Sequence, residues 1–195
     1  MILKGSEEEK LLYAIIYENI KKVKSILERS NKNKKKLYLN EKNKNGNYPL
    51  LEAILNNNVE IVKLLIYYAH QHQITFELNE KDNYGNYPLL WAIRNNNIEI
   101  VQLLINYAKQ HQIILELNAK DKNENYPLSE IITNNNIESV KLLIKYALQH
   151  QIILEYDKNY YYSINNPKIK NLLKYYEKEI ENRRKVINMN SIMNK

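Results

Sequence analysis

An all-α solenoid of stacked helix-turn-helix repeats, each carrying an extended finger loop, is the fold this sequence predicts. Three observations predict it. The stretch Gly46-Asn47-Tyr48-Pro49-Leu50-Leu51 returns as Gly85-Asn86-Tyr87-Pro88-Leu89-Leu90 and, changed, as Glu124-Asn125-Tyr126-Pro127-Leu128-Ser129, so that Pro49, Pro88 and Pro127 fall at a constant 39-residue step. A fixed period of this size marks a supersecondary unit stacked on copies of itself. The residues after each motif are apolar at helical spacing, as in Val59, Val62, Leu65, Ile66 and Ala69. The same step also joins Ala14, Ala53, Ala92 and Ile131, then Asn19, Asn58, Asn97 and Asn136, then Val23, Val62, Val101 and Val140. The chain before the first motif therefore belongs to the same frame.

Taken in order, residues 6–39 are expected to form an N-terminal capping repeat. Ser6 with Glu9 is a capping-box pattern, and two antiparallel helices follow over Glu7–Glu18 and Ile20–Glu28. Residues 29–45 read as a polar loop containing Asn31-Lys32-Asn33-Lys34-Lys35-Lys36. Full repeats occupy 40–78, 79–117 and 118–156. In each, the proline sits in the first turn of a short helix, where its missing N–H costs nothing. An Asn-Asn-Asn turn follows, then a second helix, then a connector such as Ile74-Thr75-Phe76-Glu77-Leu78 whose alternate residues can point inward together. The tip Asn79–Gly85 carries the Asp and Gly of a turn. Residues 157–186 form a truncated C-terminal cap, with Asn166 and Pro167 starting a basic helix that runs to about Val186. Residues 187–195 are expected to be a flexible tail.

Asp82-x-x-Gly85-x-Tyr87-Pro88-Leu89-Leu90-Trp91-Ala92, followed by Asn97-Ile98-Glu99-Ile100-Val101-x-Leu103-Leu104, resembles the ankyrin repeat, D-x-x-G-x-T-P-L-H-x-A then G-H-x-E-I-V-x-x-L-L. The resemblance covers about residues 7–175. It implies paired helices with projecting fingers, and a non-catalytic role in protein recognition through finger tips and the concave surface of the first helices. Three departures stand out. The 39-residue unit is longer than the family's usual ~33 residues, and the surplus falls after Ile66, lengthening the second helix through Tyr67–His72. Tyr-Pro-Leu-Leu replaces Thr-Pro-Leu-His, removing the threonine cap. The turn glycine becomes Glu124, so Asn123 is expected to take the positive φ instead.

Charge argues about partners. The formal net charge of +7 splits into +6 over residues 1–44, −4 over 45–158 and +5 over 159–195. A repeat surface that tracks phosphates would need the opposite sign in its body, so nucleic acid is not the expected partner. The basic ends, Lys32–Lys44 and Lys168–Lys185, are the alternative contact for nucleic acid or an acidic surface. The chain has no cysteine, which excludes disulfides and thiolate chemistry and fits a reducing compartment, cytoplasmic or nuclear. It shows no signal-peptide pattern and no run long enough to span a membrane.

Chemistry is not expected, and neither is a metal or cofactor. His72, His111 and His150 repeat at the ends of second helices, with His70 beside the first. Stacked helices about 8–10 Å apart cannot bring such a row onto one ion with ligand distances of about 2 Å. Their expected role is near the helix end, satisfying the last carbonyls or favoured by the helix dipole. Glu60, Glu99 and Glu138 repeat as ion-pair positions, and Trp91 is expected in the core. A binding surface is better sought where copies disagree at one structural position. Those positions are the loop tips Lys44-Asn45, Asn83-Tyr84 and Lys122-Asn123, and the first-helix residues Leu55, Arg94 and Thr133. The expected function is recognition of an unidentified protein partner by a monomer, across ~800 Å² of finger and helix surface.

Overall fold

A computed structural model describes residues 5–156, 161 and 164–193, with side chains through Lys185. Among the described residues there are nine helices and no strand. The chain divides into two compact units, Met1–Glu116 with Lys120–Asn125, and Leu117–Ala119 with Tyr126–Lys195. The first unit holds α1 (Glu7–Ile16), α2 (Ile20–Lys32), α3 (Pro49–Leu55), α4 (Val59–Gln71), α5 (Pro88–Arg94) and α6 (Ile98–Gln110). The second holds α7 (Pro127–Thr133), α8 (Ile137–His150) and α9 (Pro167–Met193).

In the first unit, each pair is an antiparallel hairpin, and like helices stack on like: α1 on α3 on α5, and α2 on α4 on α6. The motif leucines supply the core. Leu50, Leu51, Ala53 and Ile54 are buried with Ile61, Val62 and Leu65, and their counterparts in the next repeat are buried with them. The short helices begin at proline with a tyrosine as N-cap, and the tyrosine side chains of α3 and α5 make no cap hydrogen bond. Those hydroxyls are used elsewhere. Tyr48 donates to the Glu77 carbonyl at 2.7 Å and Tyr87 to the Glu116 carbonyl at 3.0 Å. Burial pushes both phenols up, so each remains a protonated donor at neutral pH.

The Asn-Asn-Asn turn divides its work among three side chains. Asn56 and Asn95 donate to the carbonyls of Ile15 and Ile54 in the preceding hairpin, at 3.0 and 2.7 Å. Asn57 and Asn96 take positive φ, 57° and 54°, a conformation asparagine tolerates better than most residues. Asn58 and Asn97 cap the second helices by accepting from Ile61 N and Ile100 N. Tyr68 and Tyr107, the tenth residues of α4 and α6, are buried and turn their hydroxyls onto the connector of the hairpin before. Tyr68 Oη accepts from Leu37 N at 3.1 Å. Tyr107 Oη accepts from Phe76 N at 3.2 Å and donates to the Ile74 carbonyl at 3.0 Å. The connector alternates as expected, with Ile74, Phe76 and Leu78 buried and Thr75 and Glu77 exposed.

The second unit repeats these devices. Asn136 caps α8 by accepting from Ser139 N. The Asn118 amide donates to the Ile153 carbonyl at 2.7 Å and accepts from Glu155 N at 3.0 Å. Tyr176, tenth in α9, accepts from Leu154 N at 2.9 Å and donates to the Ile152 carbonyl at 2.8 Å. That identity of role places α9 in the register of a second helix. The start of the expected last repeat, 157–163, lies outside the described residues except for 161.

Several expected boundaries change. The first helix ends at Ile16, because Glu18 turns the chain with φ 52°. The second reaches Lys32 instead of Glu28. The Lys/Asn-rich composition that suggested a loop there does not stop a helix whose Arg29 and Lys32 lie in the last turn, where the dipole favours cations. α9 continues to Met193 past the expected tail boundary, since no Gly or Pro follows Pro167 to end it. α4 ends at Gln71 with His72 as its cap, so the surplus residues do lengthen this helix. The repeated histidines lie against tyrosine rings instead of serving the last carbonyls. His72 and His111 stack on Tyr68 and Tyr107, with ring centroids 4.2 and 4.1 Å apart, and His150 lies 4.2 Å from the Tyr146 ring.

Tyr107→Phe is expected to cost about 1–3 kcal/mol, because it strands a buried N–H and a buried carbonyl. The exposed Tyr67 is the control, and Tyr67→Phe is expected to leave the urea midpoint almost unchanged.

Candidate functional site

Each finger is built on one carboxylate or amide side chain. Asn43 Oδ1 accepts from Asn45 N at 2.8 Å and Asn47 N at 3.0 Å. Asp82 Oδ1 accepts from Tyr84 N and Asn86 N, both at 2.8 Å. Asp121 Oδ1 accepts from Asn123 N at 2.8 Å and Asn125 N at 2.9 Å. A backbone bond closes each turn, from Gly46 N to the Asn43 carbonyl, Gly85 N to the Asp82 carbonyl and Glu124 N to the Asp121 carbonyl. The residue donating that bond has positive φ: 82° at Gly46, 85° at Gly85 and 64° at Glu124. Asn123 is therefore not the left-handed residue. The two amides bound by Asp121 lie on either side of Glu124, so the turn leaves the left-handed place to it. A side chain there costs roughly 1–2 kcal/mol.

Neighbouring fingers are tied to one another by backbone. Asn83 N donates to the Asn45 carbonyl and Lys122 N to the Tyr84 carbonyl, each at 3.0 Å. The approach is close enough that a Cβ on Gly46 would come within 2.8 Å of Asn83 N, and one on Gly85 within 3.0 Å of Lys122 N. Asn83 Nδ2 adds a bond to the Lys44 carbonyl at 2.8 Å, and Lys42 and Lys81 reach the Lys81 and Lys120 carbonyls at 3.2 and 3.0 Å. The six tip residues Lys44, Asn45, Asn83, Tyr84, Lys122 and Asn123 are all exposed along this joined row. Tyr84 is the large apolar group among them, 64 % exposed. The structure thus brings these six together within the first unit.

The first-helix residues divide. Leu55 is half-buried at the end of α3. Arg94, at the end of α5, turns back beneath the fingers. Its Nη1 donates to Asn86 Oδ1 at 2.6 Å and its Nη2 to Asp121 Oδ2 at 2.8 Å, with side-chain exposures of 24 % for Arg94 and 2 % for Asp121. Thr133 belongs to the second unit. Its hydroxyl donates to the Ser129 carbonyl at 3.0 Å, and it lines an open groove of about 740 Å³ with Asn135, Asn166 and Lys168.

Behind the tips lies a buried polar network that sequence reasoning passed over. Asn47, Glu52, Asp82, Asn86 and Asp121 are all buried. Asn47 Nδ2 donates to Glu52 Oε2 at 2.5 Å, and Asn86 Nδ2 to Asp82 Oδ2 at 3.1 Å. Trp91, expected in the core, is half-buried instead. Its Nε1 lies 3.4 Å from Asp82 Oδ2, and the Arg94 guanidinium sits 5.2 Å from its ring centroid. Indole N–H groups seek an acceptor when covered, and Asp82 draws this one toward the fingers. The available signal was the recurrence of Asn47, Asn86 and Asn125 at the step of the repeat.

The two acids respond oppositely to this setting. Burial raises the Asp121 carboxyl, but the Arg94 bond and the amides of Asn125 and Asn123 outweigh it, and the net shift is downward. Burial raises Glu52; the Asn47 bond opposes it, the charge of Asp82 adds to it, and the net shift is upward. Glu60 and Glu99 pair with Lys24 and Lys63 of the preceding hairpin at 2.7 and 2.5 Å. These pairs are exposed and worth little. Among the described residues no group of three or more His, Asp or Glu is placed to hold a metal ion. None of the described helices is long and apolar enough to cross a membrane.

Arg94→Met is expected to destabilise the fold by about 2–4 kcal/mol at pH 7, since it leaves a buried carboxylate without its cation. A carboxyl with a depressed folded pKa contributes stability above its unfolded pKa, near 3.9, and loses it as pH falls through the folded value. The gap between wild type and variant is therefore expected to shrink below pH 4 in chemical denaturation.

No curated protein matches the chain significantly. A family model described as ankyrin repeats (3 copies) matches residues 11–114, from α1 through α6 into the connector beyond. Ankyrin repeats generally serve as protein–protein interaction modules. With more than half of its length matched by that model, and its helix pairs and fingers repeating at a constant step, the chain belongs to the ankyrin repeat family.

Proposed function

We propose that this chain is a non-catalytic recognition module that binds a partner protein along its row of finger tips and the adjoining first helices. The observation that carries this reading is the joined row itself. Backbone bonds between neighbouring fingers hold six exposed side chains in fixed order, with Tyr84 at the middle tip. A rigid aromatic side chain loses little conformational freedom on binding and supplies a large contact area, which is why tyrosines anchor interfaces. The fingers are held by the side chains of Asn43, Asp82 and Asp121 and by backbone, so the tip side chains can differ between copies while each turn is kept. Lys44, Tyr84 and Lys122 present both charge and an apolar surface. Absence of cysteine is in keeping with action in a reducing compartment, the cytoplasm or nucleus.

A photoreactive phenylalanine analogue placed at position 84 of the full chain tests the reading in native extract. One discrete adduct is expected, suppressed by excess wild-type chain and not by Tyr84→Ala, with little change in the thermal midpoint of that variant. The same group at Tyr17, the exposed C-cap residue of α1, is the control. Equal labelling from both positions would sink the proposal. So would an interaction lost steeply between ~50 and ~200 mM salt, the response of phosphate binding by the basic ends.

A further inference from the structure

Two successive fingers carry the same receptor, and one of them lacks its cation. In the later copy, Arg94 bridges Asn86 Oδ1 and Asp121 Oδ2. One repeat earlier, the corresponding residues are Leu55, Asn47 and Asp82. Asn47 is only 6 % exposed, and no donor reaches its Oδ1. Its orientation is fixed, because Nδ2 donates to the Glu52 carboxylate at 2.5 Å and a carboxylate can only accept. The amide oxygen therefore points away from Glu52 and stays unsatisfied, a costly state for a buried acceptor.

The charge balance at this place points the same way. Glu52 stands where the next copy has Trp91, so the earlier receptor has a second acid as well as no arginine. Glu52 and Asp82 are both buried, and among the described residues neither has a cationic side chain at ion-pair distance. The upward shift of Glu52, owed first to burial and then to the charge of Asp82, is in line with uncompensated negative charge.

We propose that the recess formed by Asn47 Oδ1 and the carboxylates of Glu52 and Asp82 receives an arginine guanidinium from the partner protein, in the place Arg94 fills one repeat later. This rests on the reading of the chain as a protein-binding module. The planar fork of a guanidinium can serve the amide oxygen and a carboxylate at once, as Arg94 does with Nη1 and Nη2, whereas an ammonium offers a single point of charge. Leu55 occupies the position from which Arg94 reaches inward. It is half-buried, and the incoming side chain takes its place there.

The test uses the full chain, ¹⁵N-labelled, with N-acetyl-arginine amide as the probe and the Asn47 side-chain amide as the reporter. Saturable displacement of that resonance is expected with the arginine probe. It is expected to be at least ~5-fold weaker with N-acetyl-lysine amide and absent with the citrulline analogue, which keeps the shape without the charge. Leu55→Arg is expected to abolish the response by filling the recess from within, and to raise the thermal midpoint. Asp82→Asn is expected to weaken the response at least ~5-fold. It keeps the turn, because Asn43 holds the same turn in the preceding finger, and an unchanged amide spectrum away from the finger checks the fold. No displacement by the arginine probe, an equal response to citrulline, or a response that survives Leu55→Arg would each overturn the proposal. The photo-crosslinked adduct at position 84 would stand regardless, so failure here is separable from failure of the protein-binding reading.

Discussion

Each repeat depends on one obligation, that its extended connector find hydrogen-bond partners outside itself. A segment without helix or strand leaves N–H and C=O groups unpaired, and burying its alternate side chains takes those groups away from water. The fold answers with tyrosine hydroxyls. Tyr107 serves Phe76 N and the Ile74 carbonyl, and Tyr176 serves Leu154 N and the Ile152 carbonyl. The motif tyrosines hold the other end, with Tyr48 on the Glu77 carbonyl and Tyr87 on the Glu116 carbonyl. A hydroxyl that both donates and accepts suits this role, since each connector offers both kinds of group. The length of the second helix follows from the same need. Tyr68, Tyr107 and Tyr176 are each the tenth residue of their helix, so a helix ending at Ile66 would not carry Tyr68 at all. The longer period and the connector's hydrogen bonds are two aspects of one design.

The same logic separates what was legible in the sequence from what was not. Prolines at a fixed step, apolar stripes and the triple asparagine are local patterns, and each acts within a few residues of itself. Helices, turns and the repeat register can therefore be read without knowing what any distant segment does. In the last repeat Asn166-Pro167 is such a local helix start, and Tyr176 then falls at the tenth position of its helix, as Tyr68 and Tyr107 do in theirs. Boundaries failed where composition misled. Lys- and Asn-rich sequence around residue 32 resembles loop, yet lysine and arginine are good helix formers and the preceding turns carry the helix on.

Polar networks are harder to see, because they depend on which groups remain after distant segments meet. Arg94 varies between copies as a surface residue would, and its partner Asp121 lies 27 positions away on another finger. Nothing in either local stretch reveals the pairing. Trp91 misleads for a related reason. Its size suggests packing between repeats, but its N–H needs an acceptor, and Asp82 provides one at the edge of the core. Lys44, Asn45, Tyr84 and Lys122 are simpler. A finger tip is exposed by construction, so placing these residues in the loop is enough to place them on the surface.

Variation between copies therefore carries two kinds of information, and burial separates them. At the tips, Lys44, Asn83 and Lys122 share one position, and all three are exposed, so apart from the Asn83 bond to the Lys44 carbonyl the differences change what solvent or a partner meets. At the helix ends, Leu55 and Arg94 share a position, and only in the later copy does it carry a cation that reaches a buried carboxylate, so the difference changes the internal charge balance. Asn86 is satisfied there by Arg94, whereas Asn47 Oδ1 is left without a donor. A repeat protein supplies its own reference state for such a comparison, since the neighbouring copy shows how the same backbone looks when the group is present. A tip substitution could drift with little cost. An unsatisfied acceptor beside two buried acids has a continuing cost in stability, and a positively charged donor at that place, like Arg94 one repeat later, relieves it.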